Sequence, residues 1–72
     1  MGHRIESELV ANVLTVHVDA GESVVIGDEL VLLESMKMEI PVLAEIPGTV
    51  AEVKVSAGDV VQEGEVLVVI DD

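Results

Sequence analysis

Apolar and polar residues alternate along much of this chain with the period of β-strands. In Leu14-Thr15-Val16-His17-Val18 the even positions are apolar and the odd ones polar, and Ala51-Glu52-Val53-Lys54-Val55 repeats the pattern. A period of two marks a strand with one buried face. That reading turns Leu14, Val16 and Val18 inward. Leu30-Val31-Leu32-Leu33 and Val66-Leu67-Val68-Val69-Ile70 are continuously apolar, as strands buried more deeply are. Asp19-Ala20-Gly21-Glu22 and Ser56-Ala57-Gly58-Asp59 read as turns, with Gly21 and Gly58 expected at positive φ. Gly27 and Gly64 mark the next pair of turns. About eight short strands follow from this spacing, with no room for a helix.

The strands come in two matching sets. A shift of 37 positions aligns residues 5–35 with 42–72 without a gap, with ten identities in 31 positions. Val13, Val16 and Val18 fall on Val50, Val53 and Val55; Ala20-Gly21 falls on Ala57-Gly58; Leu30-Val31 falls on Leu67-Val68. Halves this small cannot each bury a face alone. The expected fold is all-β: a sandwich, or flattened barrel, of two antiparallel four-stranded sheets related by a pseudo-twofold axis, forming one domain over residues 1–72.

The segment between the copies is Met36-Lys37-Met38-Glu39-Ile40-Pro41, part of the hairpin 34–41. Under the shift the counterparts of Lys37 lie beyond either terminus. Lys37 is therefore expected at one end of the sandwich and the termini at the other. The strand from Glu29 to Glu34 enters this turn and the strand from Glu39 to Ala44 leaves it, with Ser35, Met36, Lys37 and Met38 at its centre. Tight hairpins favour Gly, Asn or Asp there. A locally poor choice hints at function. The plainer alternative is a solvated lysine, with the two methionines folded back to plug the end of the core.

Composition narrows the possibilities. The chain has 72 residues, no cysteine and no aromatic residue, so the core is aliphatic and no disulfide or metal–thiolate site exists. Formal net charge is -12, and the basic residues are Arg4, Lys37 and Lys54. Such a chain repels a phosphate backbone and an anionic membrane surface. Most of its carboxylates read as a solvated surface. No apolar run is long enough to span a bilayer and Met1-Gly2-His3-Arg4 lacks the start of a signal peptide, which makes the cytoplasm the expected location. His3 and His17 have no third ligand at metal spacing, so no metal site is expected. No set of carboxylates, bases or nucleophiles forms a catalytic constellation.

At Glu34-Ser35-Met36-Lys37-Met38-Glu39 the sequence resembles the attachment motif of biotin carboxyl carrier proteins, whose core is Met-Lys-Met preceded by Ala or Ser. The resemblance extends over nearly the whole chain, through Ala20-Gly21-Glu22, Ala57-Gly58-Asp59 and Ile46-Pro47-Gly48-Thr49-Val50. Within the family it is similar to small free-standing biotinylated proteins of bacteria, including mycobacterial ones. The resemblance implies the barrel-sandwich hybrid fold shared by biotinyl and lipoyl domains. It implies biotin on Lys37, with Met36 and Met38 as recognition flanks. Glu34 and Glu39 would orient the hairpin. Two departures stand out. Val10-Ala11 replaces the Pro-Gly pair of the second half, so the first turn is expected to differ, since Ala tolerates positive φ poorly. No protruding loop lies between Val18 and Leu30, which leaves the cofactor freer.

The implied chemistry is that of a carrier, not an enzyme. Biotin protein ligase would load Lys37. The amine must lose a proton to attack, and nothing in the sequence supplies a base. Glu34 and Glu39 would instead favour the charged amine. The loaded domain, a monomer, would shuttle carboxybiotin between a biotin carboxylase and a carboxyltransferase. A lipoyl carrier shares the fold but typically has an Asp-Lys-Ala-like motif, which Met36-Lys37-Met38 is not. An unmodified interaction domain would need no lysine at this turn.

Overall fold

The computed structural model describes residues 2–72; Met1 lies outside the described residues. Eight strands follow one another: β1 (Gly2–Glu6), β2 (Ala11–Val16), β3 (Ser23–Val24), β4 (Glu29–Ser35), β5 (Met38–Leu43), β6 (Gly48–Val53), β7 (Val60–Val61) and β8 (Val66–Asp71). They form two antiparallel four-stranded sheets, ordered β1-β8-β6-β3 and β5-β4-β2-β7. Moving four strands along the chain turns one order into the other, so the sequence repeat is a structural pseudo-twofold. The molecule measures 33 × 18 × 17 Å.

Neither repeat forms a sheet of its own. The first sheet takes β1 and β3 from the first copy and β6 and β8 from the second; the other sheet reverses this. Each copy therefore completes the other. The crossings are stitched by twin backbone bonds: Ser7 N–H donates to the Glu65 carbonyl (2.9 Å) as Ala44 N–H donates to that of Asp28 (2.8 Å). Val13 N–H reaches the Asp59 carbonyl (2.8 Å) as Val50 N–H reaches that of Glu22 (2.8 Å).

The core lies between the sheets and is aliphatic. Val13, Leu30, Val31 and Leu33 from the first copy meet Val50, Leu67, Val68 and Ile70 from the second. β-Branched side chains suit these pleated, half-buried faces and lose little rotamer freedom there.

The strand alternation differs from the sequence reading at one point. Ala11 and Val13 are buried while Leu14 is 36% exposed; further on, Val18 is buried. The β2–β4 register slips between Val13 and Thr15. This bulge inserts an extra residue and flips the inward parity from odd to even. The β6–β8 register slips at the equivalent place, between Val50 and Glu52. Because both copies share the irregularity, aligning one with the other cannot reveal it.

The turns rest on glycine and on carboxylates. Gly21, Gly27, Gly58 and Gly64 all take φ between 86° and 96°, a region costly for residues with a Cβ. Each turn is braced by an acidic side chain that accepts the N–H three residues earlier: Asp19 to Glu22 (3.1 Å), Val25 to Asp28 (3.0 Å), Ser56 to Asp59 (2.9 Å) and Gln62 to Glu65 (3.0 Å). Four carboxylates that read as plain surface charge thus have a structural task. Asp59→Ala removes one brace and is expected to cost about 1 kcal/mol in a urea melt, whereas Glu63→Ala, which braces no turn among the described residues, is expected to cost much less.

The Ala11/Gly48 difference also has a physical basis. A Cβ on Gly48 would lie 2.2 Å from the Asp71 carbonyl oxygen. Ala11 places its Cβ in the core, 5% exposed, and takes no positive φ.

Candidate functional site

β4 and β5 are consecutive in sequence and adjacent in the sheet, and they present the hairpin. Their ladder runs Leu33–Ile40, Glu34–Glu39, Ser35–Met38. The turn is therefore tighter than the four-residue centre expected from sequence: Ser35 and Met38 belong to the strands, and only Met36 and Lys37 span the gap. Both have positive φ, 54° and 66°. Two left-handed central residues make a type I′ turn, whose twist matches the flanking strands.

Neither Met nor Lys is suited to that conformation. A side chain with a Cβ costs about 1 kcal/mol per residue in the left-handed region. The turn thus keeps its residues against local preference. Met36→Asn is expected to raise stability by about 0.5–1 kcal/mol in chemical denaturation. A neutral or destabilising result would mean that Met36 makes compensating contacts.

The side chains point away from the body. Met36 is 91% exposed and Met38 65% exposed. The plug reading of the methionines is thus excluded: they do not close the core but flank Lys37 in solvent. Lys37 is exposed too. Among the described residues the ion pairs are His3–Glu45, His17–Glu29 and Lys54–Glu52, and Lys37 takes part in none. The amine stands free at the tip, open to a reagent from several directions.

Glu34 and Glu39 face each other across the ladder directly behind the turn, Glu34 half-buried and Glu39 exposed. Like charges in directly opposed positions repel. They stand beside the tip rather than paired to Lys37, so the structure does not bring them to the amine as a counter-charge. The termini take the place related to the hairpin by the pseudo-twofold: Gly2 pairs with Asp71 where Glu39 pairs with Glu34.

The other candidates resolve simply. His17 lies 2.5 Å from a Glu29 oxygen and His3 3.2 Å from one of Glu45. Among the described residues no three His, Cys, Asp or Glu converge as a metal site, and no helix is long and apolar enough to cross a membrane.

An exposed lysine on a left-handed turn, at one end of a two-fold β-sandwich, has clear relatives. The family described as biotin-requiring enzyme, the biotin/lipoyl domain, matches residues 2–70. The chain belongs to this family. The biotinylated protein TB7.3 homologue of Mycobacterium leprae is 54% identical over 97% of this chain and 99% of its own length. A biotin/lipoyl attachment protein of Bacillus subtilis is 48% identical over 88% of this chain and 86% of its own. Among solved structures, a domain of a single-chain, multi-domain long-chain acyl-CoA carboxylase superposes with a TM-score of 0.89 at 31% identity, covering 94% of this chain and 7% of that one. The lipoyl domain of the 2-oxoglutarate dehydrogenase complex from Azotobacter vinelandii superposes with a TM-score of 0.78 at 30% identity, covering 94% and 96%. The expected barrel-sandwich fold is thereby established, and with membership comes the cofactor: biotin, covalently held. Biotin/lipoyl domains carry a group and do not catalyse.

Among the described residues, Lys37 has the chemistry that such a cofactor needs. Covalent attachment through an amide needs an amine that can enter another enzyme's active site. Lys37 is exposed at a tip and takes part in no ion pair among the described residues. Lys54 is less suitable, lying just past the end of β6 and bonded to Glu52 at 2.9 Å.

Proposed function

We propose that this chain is a biotin carrier in a biotin-dependent carboxylase system, loaded at Lys37 by biotin protein ligase. The observation that carries the reading is the Met36–Lys37 type I′ turn: a strained tip that holds its lysine clear of the body with both methionines in solvent. Met36 and Met38 are the apolar flanks that a ligase reads, and Glu34 and Glu39 set the hairpin's orientation against it.

The carrier's residues divide the work. Lys37 supplies the nucleophilic amine: its nitrogen bonds the carboxyl carbon of biotin activated by ATP as an adenylate, the acyl–phosphate bond breaks and AMP leaves, and the amine's proton goes to the ligase's base. The β4–β5 ladder fixes the direction in which the amine points. When bound, biotin supplies a ureido nitrogen able to accept and release a carboxyl group, with the hard chemistry left to the cofactor and the partner enzymes. A biotin carboxylase charges the carrier and a carboxyltransferase discharges it. Attachment keeps the group at high local concentration near both. The chain acts as a monomer in the cytoplasm.

The test uses labelled bicarbonate, ATP and a biotin carboxylase. The loaded chain is expected to acquire label in proportion to its biotin content, and the unloaded chain none. Uptake of lipoate from a lipoate ligase, with no label transfer, would favour the lipoyl carrier. Neither modification would leave an unmodified interaction domain.

A further inference from the structure

The pseudo-twofold gives most strand positions an internal control. Equivalent places on the two sheets share the same ladder register, so a difference between their side chains points to a difference in use. Two outward rows on the hairpin-bearing sheet can be compared with their twins.

The first row runs across that sheet as Val60, Asn12, Glu34 and Glu39. Its twin runs as Ser23, Thr49, Asp71 and Gly2. The hairpin sheet thus has an opposed carboxylate pair and Val60, 59% exposed, where the other has a single carboxylate and a serine. The second row is Thr15, Leu32 and Pro41, with Leu14 bulged beside it. Its twin is Glu52, Val69 and Arg4, with Ala51 beside it. One row is uncharged and largely apolar. The other carries both signs of charge, as a solvated face does.

We infer that the outer face of the hairpin-bearing sheet, around Leu14, Thr15, Leu32 and Pro41, is the docking surface for the biotin protein ligase. The inference rests on the carrier reading above. Two physical points select this occupant. Before loading, the reacting nitrogen sits at the end of a lysine side chain, so the enzyme must close over the hairpin and the adjoining face. Pro41 lies only about 14 Å along the strand from Lys37, within a standard interface of about 800 Å² per partner. After loading, the reactive group stands at the end of a longer arm and needs no such closeness. The second point is charge. Glu34 and Glu39 repel each other at the edge of an apolar row, on a chain of net charge -12, and call for a partner with apolar contacts and a basic rim.

The test transfers the character of one sheet onto the other. Leu14→Ala, Thr15→Glu and Pro41→Arg together place the residues of the opposite sheet on the hairpin sheet, with no change in net charge. Lys37 and its flanks are untouched. The expected result is a ligase KM raised about tenfold, comparable to the loss of one interfacial anchor, with kcat within about twofold and a melting curve close to wild type. If the triple variant is destabilised, Pro41→Arg alone, at an exposed edge position, gives the same direction of effect. Arg4→Gln with Glu52→Gln, on the other sheet, is expected to leave KM unchanged. An unchanged KM in the triple variant overturns the proposal, as does an equal rise in the Arg4/Glu52 variant. Loss of carboxylase use with normal loading would assign the face to the carboxylase instead. A concentration-dependent dimer dissolved by the triple variant would assign it to a second copy. If the wild type takes up no biotin, the carrier reading fails as well; if it loads and only KM is unmoved, that reading stands and the face alone is wrong.

Discussion

Lys37→Arg is expected to abolish biotin uptake while leaving the domain folded. Arginine retains the charge and much of the stem, and the residue is exposed with no ion pair among the described residues, so no packing is lost. What is lost is a primary amine able to form the amide, since a guanidinium is in practice never deprotonated in proteins. The loss should be complete rather than partial. Lys54→Arg, which keeps its contact with Glu52, should load like the wild type. Intact mass after reaction with ligase, ATP and biotin reads both variants. Residual uptake by Lys37→Arg would place the cofactor elsewhere.

The largest effect on stability is expected from the core beneath the hairpin. Leu33 is fully buried and pairs with Ile40, four residues before Lys37. Leu33→Ala should cost about 3 kcal/mol through lost burial and a residual cavity. A chain of this size has a total stability of about 4–11 kcal/mol, so a large part of it would be gone. Ile70 occupies the equivalent place in the other sheet and is also fully buried. Ile70→Ala should cost a similar amount, again about 3 kcal/mol. Urea melts of the two variants test this directly. A cost below about 1 kcal/mol for either would mean that the site collapses around the missing atoms.

Much of this architecture was legible in the residues. The gapless repeat foretold the pair of equivalent sheets, and the positive φ of Gly21 and Gly58 followed from their place in Ala-Gly-acidic turns. The interlocking of the copies was not legible, because alternation says which face is buried but not which strand lies alongside. Leu14 was misplaced because it is itself the bulged residue, and the twin bulge at Ala51 hides the slip from any comparison of the halves. The carboxylates of Glu22, Asp28, Asp59 and Glu65 looked like generic surface charge; their bonds to backbone N–H groups depend on turn geometry. At the hairpin, the unsuitability of Met36 and Lys37 for a tight turn was visible in sequence. Its physical form, two left-handed residues with both methionines in solvent, required the structure. The contrast between Leu14 and Ala51 was present in the aligned halves, and that between Pro41 and Arg4 one position before them, but both acquire meaning only once the rows across each sheet are known.

The most direct test of the account is to locate the modification. The wild-type chain is incubated with biotin protein ligase, ATP and biotin, and then weighed intact and as proteolytic fragments. A gain of one biotin less water is expected, confined to the fragment that contains Met36-Lys37-Met38. No gain by a folded chain, or a gain found on Lys54 or the amino terminus, would contradict it.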